Sequence, residues 1–171
     1  ADAIARSIKL NRDYSLRRNI SIKTDIPASI SPIKLDIKRM KQVLSNLISN
    51  SIKYSPENTE ILISVKQVTT DGGASHNSTF ILNYDYLEIS VSDQGFGMSP
   101  SQVLTAFQKY TTIQNFNTGK VDSFGMGLPI VKQLVELQNG AIKITSKVGK
   151  GTRAVMKFPY QYSHISTTNI I

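Results

Sequence analysis

The chain has 171 residues, of which 40% are hydrophobic and 19% are charged. This length suits one globular domain with a packed core, and the composition excludes a chain that is disordered throughout. The absence of cysteine excludes disulfides, thiolate metal sites and a cysteine nucleophile. Lysine and arginine number 20 against 12 aspartate and glutamate residues, so the net charge is +8. Such an excess favours anionic partners (phosphates, nucleic acid, acidic lipid or an acidic protein face), although a solvated basic surface accounts for it equally well.

The first half of the chain is predicted to alternate helices and strands. Helical spacing of apolar residues predicts a helix over 2–18, and strict alternation predicts a short strand over 20–25. After two prolines, Asp36 is suited to cap a helix over 37–54. A strand over 60–66 then leads into a long polar loop.

The second half is predicted to contain mainly antiparallel strands. A strand over 86–92 precedes a polar segment that reaches about Phe124 with weak periodicity. A helix over 128–138 ends at an Asn-Gly stop signal, and a hairpin over 141–158 follows. This order of elements favours an α+β fold in which helices pack on one face of a largely antiparallel sheet.

A polar stripe on the 37–54 helix is the first candidate site. Gln42, Asn46, Asn50 and Lys53 share one side of the helix. Carboxamide oxygens can coordinate Mg²⁺ without cancelling its charge, and a lysine nearby suits phosphate. Taken alone, the stripe is better explained as a solvated helix face.

The second candidate is the motif Asp93-Gln94-Gly95-Phe96-Gly97-Met98, which directly follows a predicted strand. An aspartate at a strand end can accept a hydrogen bond from an exocyclic amine. The two glycines allow a tight turn and leave space for a flat ring. Glycine turns after strands are common, so this motif alone is a weak signal.

The third candidate is Gly125-Met126-Gly127-Leu128, which opens the 128–138 helix. Glycines at a helix start expose successive N–H groups where the helix end carries partial positive charge, and that combination holds phosphate. A flexible loop joining a helix is an equally good explanation of this motif alone.

The three motifs gain specificity from their order along the chain. The joint pattern is Arg39-x-x-Gln42-Val43-Leu44-x-Asn46-Leu47-x-x-Asn50-x-x-Lys53-Tyr54, Asp93-x-Gly95-x-Gly97-Met98, Phe107, Gly125-x-Gly127-Leu128 and Gly149-x-Gly151-Thr152. It resembles the catalytic ATP-binding domain of sensor histidine kinases and, more distantly, the superfamily of gyrase, heat-shock chaperone and mismatch-repair ATPases. The resemblance covers nearly all of residues 1–159 and leaves 160–171 as a polar tail.

The resemblance implies a two-layer α/β sandwich. Its mixed, mostly antiparallel sheet is covered on one face by about three helices, and a mobile ATP lid spans about 99–124. The implied lid residues are Phe107, which anchors the start of the lid, Lys109, Tyr110 and Lys120.

The resemblance also implies roles for the residues that meet ATP and Mg²⁺. Asn50 holds the metal with support from Asn46, and Lys53 contacts phosphate. Asp93 reads the adenine amino group. The other implied nucleotide contacts are Tyr54, Gly95, Gly97, Met98, Gly125, Met126, Gly127, Leu128 and Thr152, with Gly95 and Gly97 giving the ring room and Thr152 acting through water.

Three features depart from the family pattern. Ser123 stands where the family usually has the first glycine of its second glycine box. Thr112 lies where many members have a basic lid residue, so Lys109 or Lys120 would have to supply that charge. The loop over 67–85 is longer than the common pattern and has no assigned role.

Asn46 separates phosphoryl transfer from hydrolysis. Members that hydrolyse ATP carry a glutamate at this place to activate water, and a carboxamide is no useful base. Transfer to a side chain supplied from elsewhere is therefore expected. The two histidines, His76 and His164, are not predicted to lie on an amphipathic helix beside an acidic residue, so the phosphoacceptor histidine is expected outside this chain.

The implied partners are ATP, the parent's own dimerisation and phosphoacceptor helices, and a response-regulator or receiver domain. The isolated domain is expected to be monomeric and cytoplasmic. Its parent is expected to be a homodimer, and whether a membrane anchors that parent is left open. The alternatives are a free-standing ATPase or protein kinase of the same superfamily, or a degenerate nucleotide-binding interaction module. A nucleic-acid binder is not expected, because no basic motif interleaved with aromatic residues is present.

Overall fold

The computed structural model describes residues 2–68, 86–108 and 127–160. The helices are α1 (Asp2–Arg17), α2 (Ile37–Lys53), α3 (Pro100–Thr105) and α4 (Gly127–Glu136). The strands are β1 (Ser21–Asp25), β2 (Glu60–Val68), β3 (Tyr86–Asp93), β4 (Ala141–Lys147) and β5 (Gly151–Pro159).

The five strands form one mixed sheet in the order β1-β2-β3-β5-β4. β1 is parallel to β2 because the connection between them crosses over through α2, whereas the other pairs are antiparallel. The predicted α+β class with a mostly antiparallel sheet is therefore confirmed. Most of the predicted lid, residues 109–124, lies outside the described residues.

The core lies between α2 and one face of the sheet. Alternate residues of β2 and β3 point into it, and Met156 and Phe158 of β5 are fully buried beside them. The buried side of α2 consists of Met40, Val43, Leu44, Leu47, Ile48, Ser51 and Ile52. Burying each large apolar side chain contributes about 1.5–3 kcal/mol, so this interface is the main source of stability. The opposite sheet face carries charged residues such as Glu88 and Arg153, which form an ion pair at 3.3 Å.

The seam between α1 and α2 is polar. Ser7, Asn11 and Ser15 of α1 are buried. The hydroxyl of Ser7 donates to the carbonyl of Lys41 at 3.3 Å, and the Asn11 amide donates to the Ser45 hydroxyl at 3.1 Å. Because these groups are hydrogen-bonded, their burial costs little. No helix within the described ranges is both long enough and apolar enough to cross a membrane.

Asp36 caps the start of α2 and also links it to the end of α4. The predicted cap is confirmed, because the Asp36 carboxylate accepts from the backbone N–H groups of Lys38 and Arg39 at 2.8 and 3.1 Å. The backbone N–H of Asp36 in turn donates to Oε1 of Gln138, beyond the end of α4, at 2.9 Å. This bond ties the start of α2 to the end of α4.

The short helix α3 was not predicted from periodicity. It begins at Ser99, whose hydroxyl accepts from the backbone N–H of Gln102, while the Gln102 side chain accepts from the N–H of Ser99 at 2.8 Å. This capping box is visible in the sequence as Ser-Pro-Ser-Gln, so capping residues rather than periodicity carry the signal for α3.

Candidate nucleotide-binding site

A pocket opens between α2, α4 and the sheet. Its empty volume is about 640 Å³, part of which is open to solvent. Seven residues predicted for the site line it, namely Asn50, Tyr54, Asp93, Gly97, Met98, Leu128 and Thr152. The remaining lining residues are Leu47, Ser51, Val91, Ile144 and Ala154. An apolar wall with a few convergent polar groups is typical of small-molecule sites.

Asp93 ends β3, and its carboxylate accepts three hydrogen bonds at the pocket wall. Its Oδ1 accepts from the backbone N–H groups of Gly95 and Thr152 at 2.9 and 3.0 Å. Its Oδ2 accepts from the Ser51 hydroxyl at 3.0 Å. Burial raises the pKa of Asp93, and these three donors oppose that rise because they stabilise the charged form. Asp93 is thus a desolvated carboxylate held in one orientation.

The two glycines after Asp93 make room for backbone as well as for a ligand. A Cβ on Gly95 would lie 2.5 Å from the Tyr54 carbonyl oxygen and 2.8 Å from Oδ1 of Asp93. Gly97 has a φ of +68°, and a Cβ there would lie 2.0 Å from the Lys147 carbonyl oxygen. Gly97 lines the pocket, whereas the space at Gly95 is filled by the end of α2 and by the carboxylate.

The loop over 94–98 is clamped from both sides. The N–H of Phe96 donates to the Tyr54 carbonyl at the end of α2, and the Phe96 carbonyl accepts from the N–H of Gly149 at 2.7 Å. The N–H of Met98 donates to the Ser146 hydroxyl at 2.8 Å. That hydroxyl also lies 2.9 Å from the Thr152 hydroxyl, so Ser146 links the loop to the pocket wall.

The opposite end of the pocket brings Asn50 to the start of α4. A Cβ on Gly127 would lie 3.5 Å from the amide nitrogen of Asn50 and 3.8 Å from its oxygen. Within the described residues, the Asn50 carboxamide makes no hydrogen bond to the protein. A carboxamide without a protein partner therefore faces a helix N-terminus, where backbone N–H groups and partial positive charge favour anions.

Several predicted residues lie outside the pocket lining. Asn46 sits one turn before Asn50 on α2, and the ammonium of Lys53 lies 5.4 Å from the centre of the Tyr54 ring. Phe107, just after α3, lies under the ammonium of Lys132 at 5.8 Å. The predicted residues Lys109, Tyr110, Thr112, Lys120, Ser123, Gly125 and Met126, and the histidines His76 and His164, fall outside the described residues.

Two serines of the site were missed by the sequence analysis. Ser51 lies within the predicted 37–54 helix and Ser146 within the predicted 141–158 hairpin, and neither was predicted to belong to the site. The available signal for Ser51 was a hydroxyl on an otherwise apolar face, one residue after Asn50. For Ser146, pairing with Thr152 across β4 and β5 is a matter of strand register, which the sequence leaves open.

A family model described as "Histidine kinase-, DNA gyrase B-, and HSP90-like ATPase" matches residues 35–162. This match spans most of the chain, so the chain belongs to that family. The family predicted from the joint motif pattern is therefore confirmed.

The curated relatives include proteins named as sensor kinases. The sensor histidine kinase WalK of Bacillus subtilis (strain 168) is 31% identical over 149 residues, which are 87% of this chain and 22% of WalK. The adaptive-response sensory kinase SasA of Prochlorococcus marinus (strain AS9601) is 31% identical over 135 residues, which are 79% of this chain and 32% of SasA. The chain thus spans 22% to 32% of the length of these two relatives.

Solved structures share the same fold. Full-length ShkA in complex with AMPPNP matches with a TM-score of 0.73 at 22% identity, covering 95% of this chain and 30% of that chain. The mycobacterial sensor histidine kinase MprB matches with a TM-score of 0.69 at 20% identity, covering 94% of this chain and 93% of that chain. At these identities, the likeness concerns the fold.

Proposed function

We propose that this chain binds Mg·ATP and donates the γ-phosphoryl group to a histidine outside it, as the catalytic domain of a sensor histidine kinase. The observation that carries the proposal is the pocket itself. A bonded, desolvated carboxylate, Asp93, lines a pocket that also brings Asn50 to the start of α4. Family membership and the names of the relatives support the same function.

Asp93 is the proposed adenine contact. Its Oδ2 can still accept one hydrogen bond after the bond from Ser51. Apolar side chains that line the pocket, such as Val91, Ile144 and Met98, could pack against a flat purine ring. A charged acceptor that is removed from water binds an amino group more strongly than a solvated one. The aspartate would therefore recognise the exocyclic amine of the base.

Asn50 and the start of α4 are the proposed phosphate and metal contacts. The Asn50 carboxamide has no protein partner among the described residues, and a hard oxygen donor of this kind fits Mg²⁺. The same residues contain no cluster of three or more His, Asp or Glu side chains that could cage a metal. The residue that would hold the metal is therefore Asn50, through its amide oxygen. Bound there, Mg²⁺ would neutralise charge on the phosphates.

Transfer is favoured over hydrolysis because of Asn46. A carboxamide one turn before Asn50 cannot take a proton from water at neutral pH, so general-base help worth about 10²–10⁴-fold is missing there. The nucleophile would come from the parent's phosphoacceptor helices, and the phosphoryl group would pass on to a response regulator. In this proposal the chain is a cytoplasmic domain that is a monomer when isolated, and its parent protein is a homodimer.

The first test is nucleotide binding by calorimetry. Asp93→Asn should lower ATP affinity by roughly ten- to a hundredfold, since a hydrogen bond to a charged group contributes about 1.5–3 kcal/mol. GTP should bind the wild-type chain far more weakly than ATP. Glu88→Gln is the matched control, because Glu88 lies on the same strand but on the opposite sheet face. Equal ATP affinity in wild type and Asp93→Asn would remove Asp93 from this role.

The second test follows the label from [γ-³²P]ATP. The chain alone should release phosphate at close to the background rate and carry no label, whereas adding the histidine-bearing helices of the parent should give acid-labile label on those helices. Rapid phosphate release by the chain alone would favour an ATPase of the same family instead. Acid-stable label on the chain would indicate a serine or threonine acceptor.

A further inference from the structure

The hydroxyl of Ser51 connects helix α2 to the carboxylate of Asp93. Ser51 follows Asn50 on α2 and is only 6% exposed. Its hydroxyl donates to Oδ2 of Asp93 at 3.0 Å, across 42 residues of sequence. Ser51 also lines the pocket, so the bond forms at the surface that a ligand would contact.

Counting acceptor positions shows what this bond does. An ionised carboxylate has about four lone-pair positions, two on each oxygen. Oδ1 of Asp93 uses both of its positions for the N–H groups of Gly95 and Thr152. Oδ2 uses one for Ser51, which leaves one position for a ligand. Of the three donors, only Ser51 is a side chain and can be removed by substitution.

The bond also fixes the plane of the carboxylate. The terminal torsion of an aspartate is broad, so bonds must hold the group in one orientation. The two backbone donors hold Oδ1, and Ser51 alone among these three donors holds Oδ2, the oxygen left for the ligand.

We propose that Ser51 is a positioning residue that sharpens base specificity by fixing the one acceptor position of Asp93 left open for an N–H donor. Adenine presents one amino group to such an acceptor. Guanine presents N1–H and N2–H₂ side by side, and a carboxylate binds that pair only when both of its oxygens are open; the backbone donors on Oδ1 close that mode, so what Ser51 adds is the fixed position on Oδ2. The inference rests on the proposed function, because it concerns the same pocket.

A ligand series on the Ser51 variants tests this inference. The ligands are ATP, GTP and purine riboside triphosphate, which lacks the 6-amino group. Ser51→Ala should weaken ATP about three- to tenfold and leave purine riboside triphosphate nearly unchanged. The preference for ATP over each of the other two nucleotides should therefore shrink by about the same factor.

Two further variants separate the hydroxyl from the packing at this position. Ser51→Cys keeps the size but offers only a weak donor, so it should also reduce the preference for ATP. Ser51→Thr keeps the hydroxyl and should therefore keep the wild-type preference for ATP. Ser90→Ala is the matched control, because Ser90 is a buried, hydrogen-bonded serine of β3 whose hydroxyl meets Ser64 on the other sheet face. It should leave the preference unchanged.

The role of Ser51 and nucleotide binding by the chain can fail separately in these measurements. Equal losses for all three nucleotides in Ser51→Ala, or an unchanged ATP preference in both Ser51→Ala and Ser51→Cys, would overturn the positioning role while leaving nucleotide binding intact. If the wild-type chain bound none of the three nucleotides, the proposed function would fall, and this inference with it.

Discussion

The two ends of the pocket are built differently. At the proposed base end, Asp93 accepts three hydrogen bonds from the protein, and the following loop is hydrogen-bonded to Tyr54 and Gly149. At the proposed phosphate end, the carboxamide of Asn50 lies beside Gly127 with no hydrogen bond to the rest of the described chain. The base end is thus assembled by the protein alone, whereas the phosphate end keeps its polar groups for a ligand.

The difference follows from the cost of burying charge. A desolvated carboxylate is tolerated only when donors surround it, so the base end needs its bonds before any ligand arrives. A neutral carboxamide near solvent has no such requirement. Hydrogen bonds that exist before binding reduce the entropy cost of ordering side chains when a ligand binds. Donors and acceptors without a protein partner supply the contacts to the ligand. Variants at the two ends should therefore fail in different ways.

The largest effect is expected for Asn50→Ala at the phosphate end. Loss of the amide oxygen should reduce phosphoryl transfer to the added histidine helices by about 10²–10³-fold, since charge neutralisation at a phosphoryl group contributes several kcal/mol. Adenosine affinity should change little, because the base end stays intact. Transfer assays and adenosine titrations measure the two effects separately. Lys38→Ala, an exposed change three turns earlier on α2 and outside the pocket lining, is the control. A parallel loss of adenosine binding would contradict the separation of the two ends.

The next effect concerns the fold of the base end. Gly97→Ala should lower the free energy of unfolding by about 2–4 kcal/mol, because φ is +68° and the new Cβ would meet the Lys147 carbonyl at 2.0 Å. Gly149→Ala is the matched control, since its φ is +73° but no atom lies within 4 Å of the new Cβ. It should cost only about 1 kcal/mol. Denaturant unfolding measures both, and equal costs would show that the close contact is relieved by movement of the loop.

The smallest effect is a pH dependence at Asp93. Burial raises its pKa above the ordinary value of 3.8, so the folded chain keeps this proton to higher pH than the unfolded chain. The stabilisation that Asp93 gains from this shift is fully present below pH 3.8, and it is lost as the pH rises through the pKa of Asp93 in the folded chain. Adenosine affinity should change in the opposite sense and weaken as the pH falls through that same folded pKa.

Asp93→Asn supplies the reference for both pH profiles, because it cannot titrate there. The difference between wild type and variant in unfolding free energy, and separately in adenosine affinity, isolates this one group from all others. Profiles that run parallel over the whole range would show that the carboxylate does not titrate differently in the folded chain.

Local patterns in the sequence determined much of this protein. The buried side of α2 follows from helical spacing, its start from the Asp36 cap, and the strands from alternation, because each depends on residues only a few positions apart. The joint motif pattern also identified the family, and seven of the site residues that this resemblance implies line the pocket. All of these signals are carried by side-chain type and short-range spacing.

Only the tertiary structure decided how these parts meet. The bond between Ser51 and Asp93 joins residues 42 positions apart, and it depends on where α2 crosses the end of β3. The space at Gly95 is filled by the Tyr54 carbonyl, and Ser146 reaches Thr152 through strand register. Helical period and strand alternation say which side of an element is buried but not which residue of another element lies opposite. That choice is made by packing the whole core, and so it could not be read from any one segment.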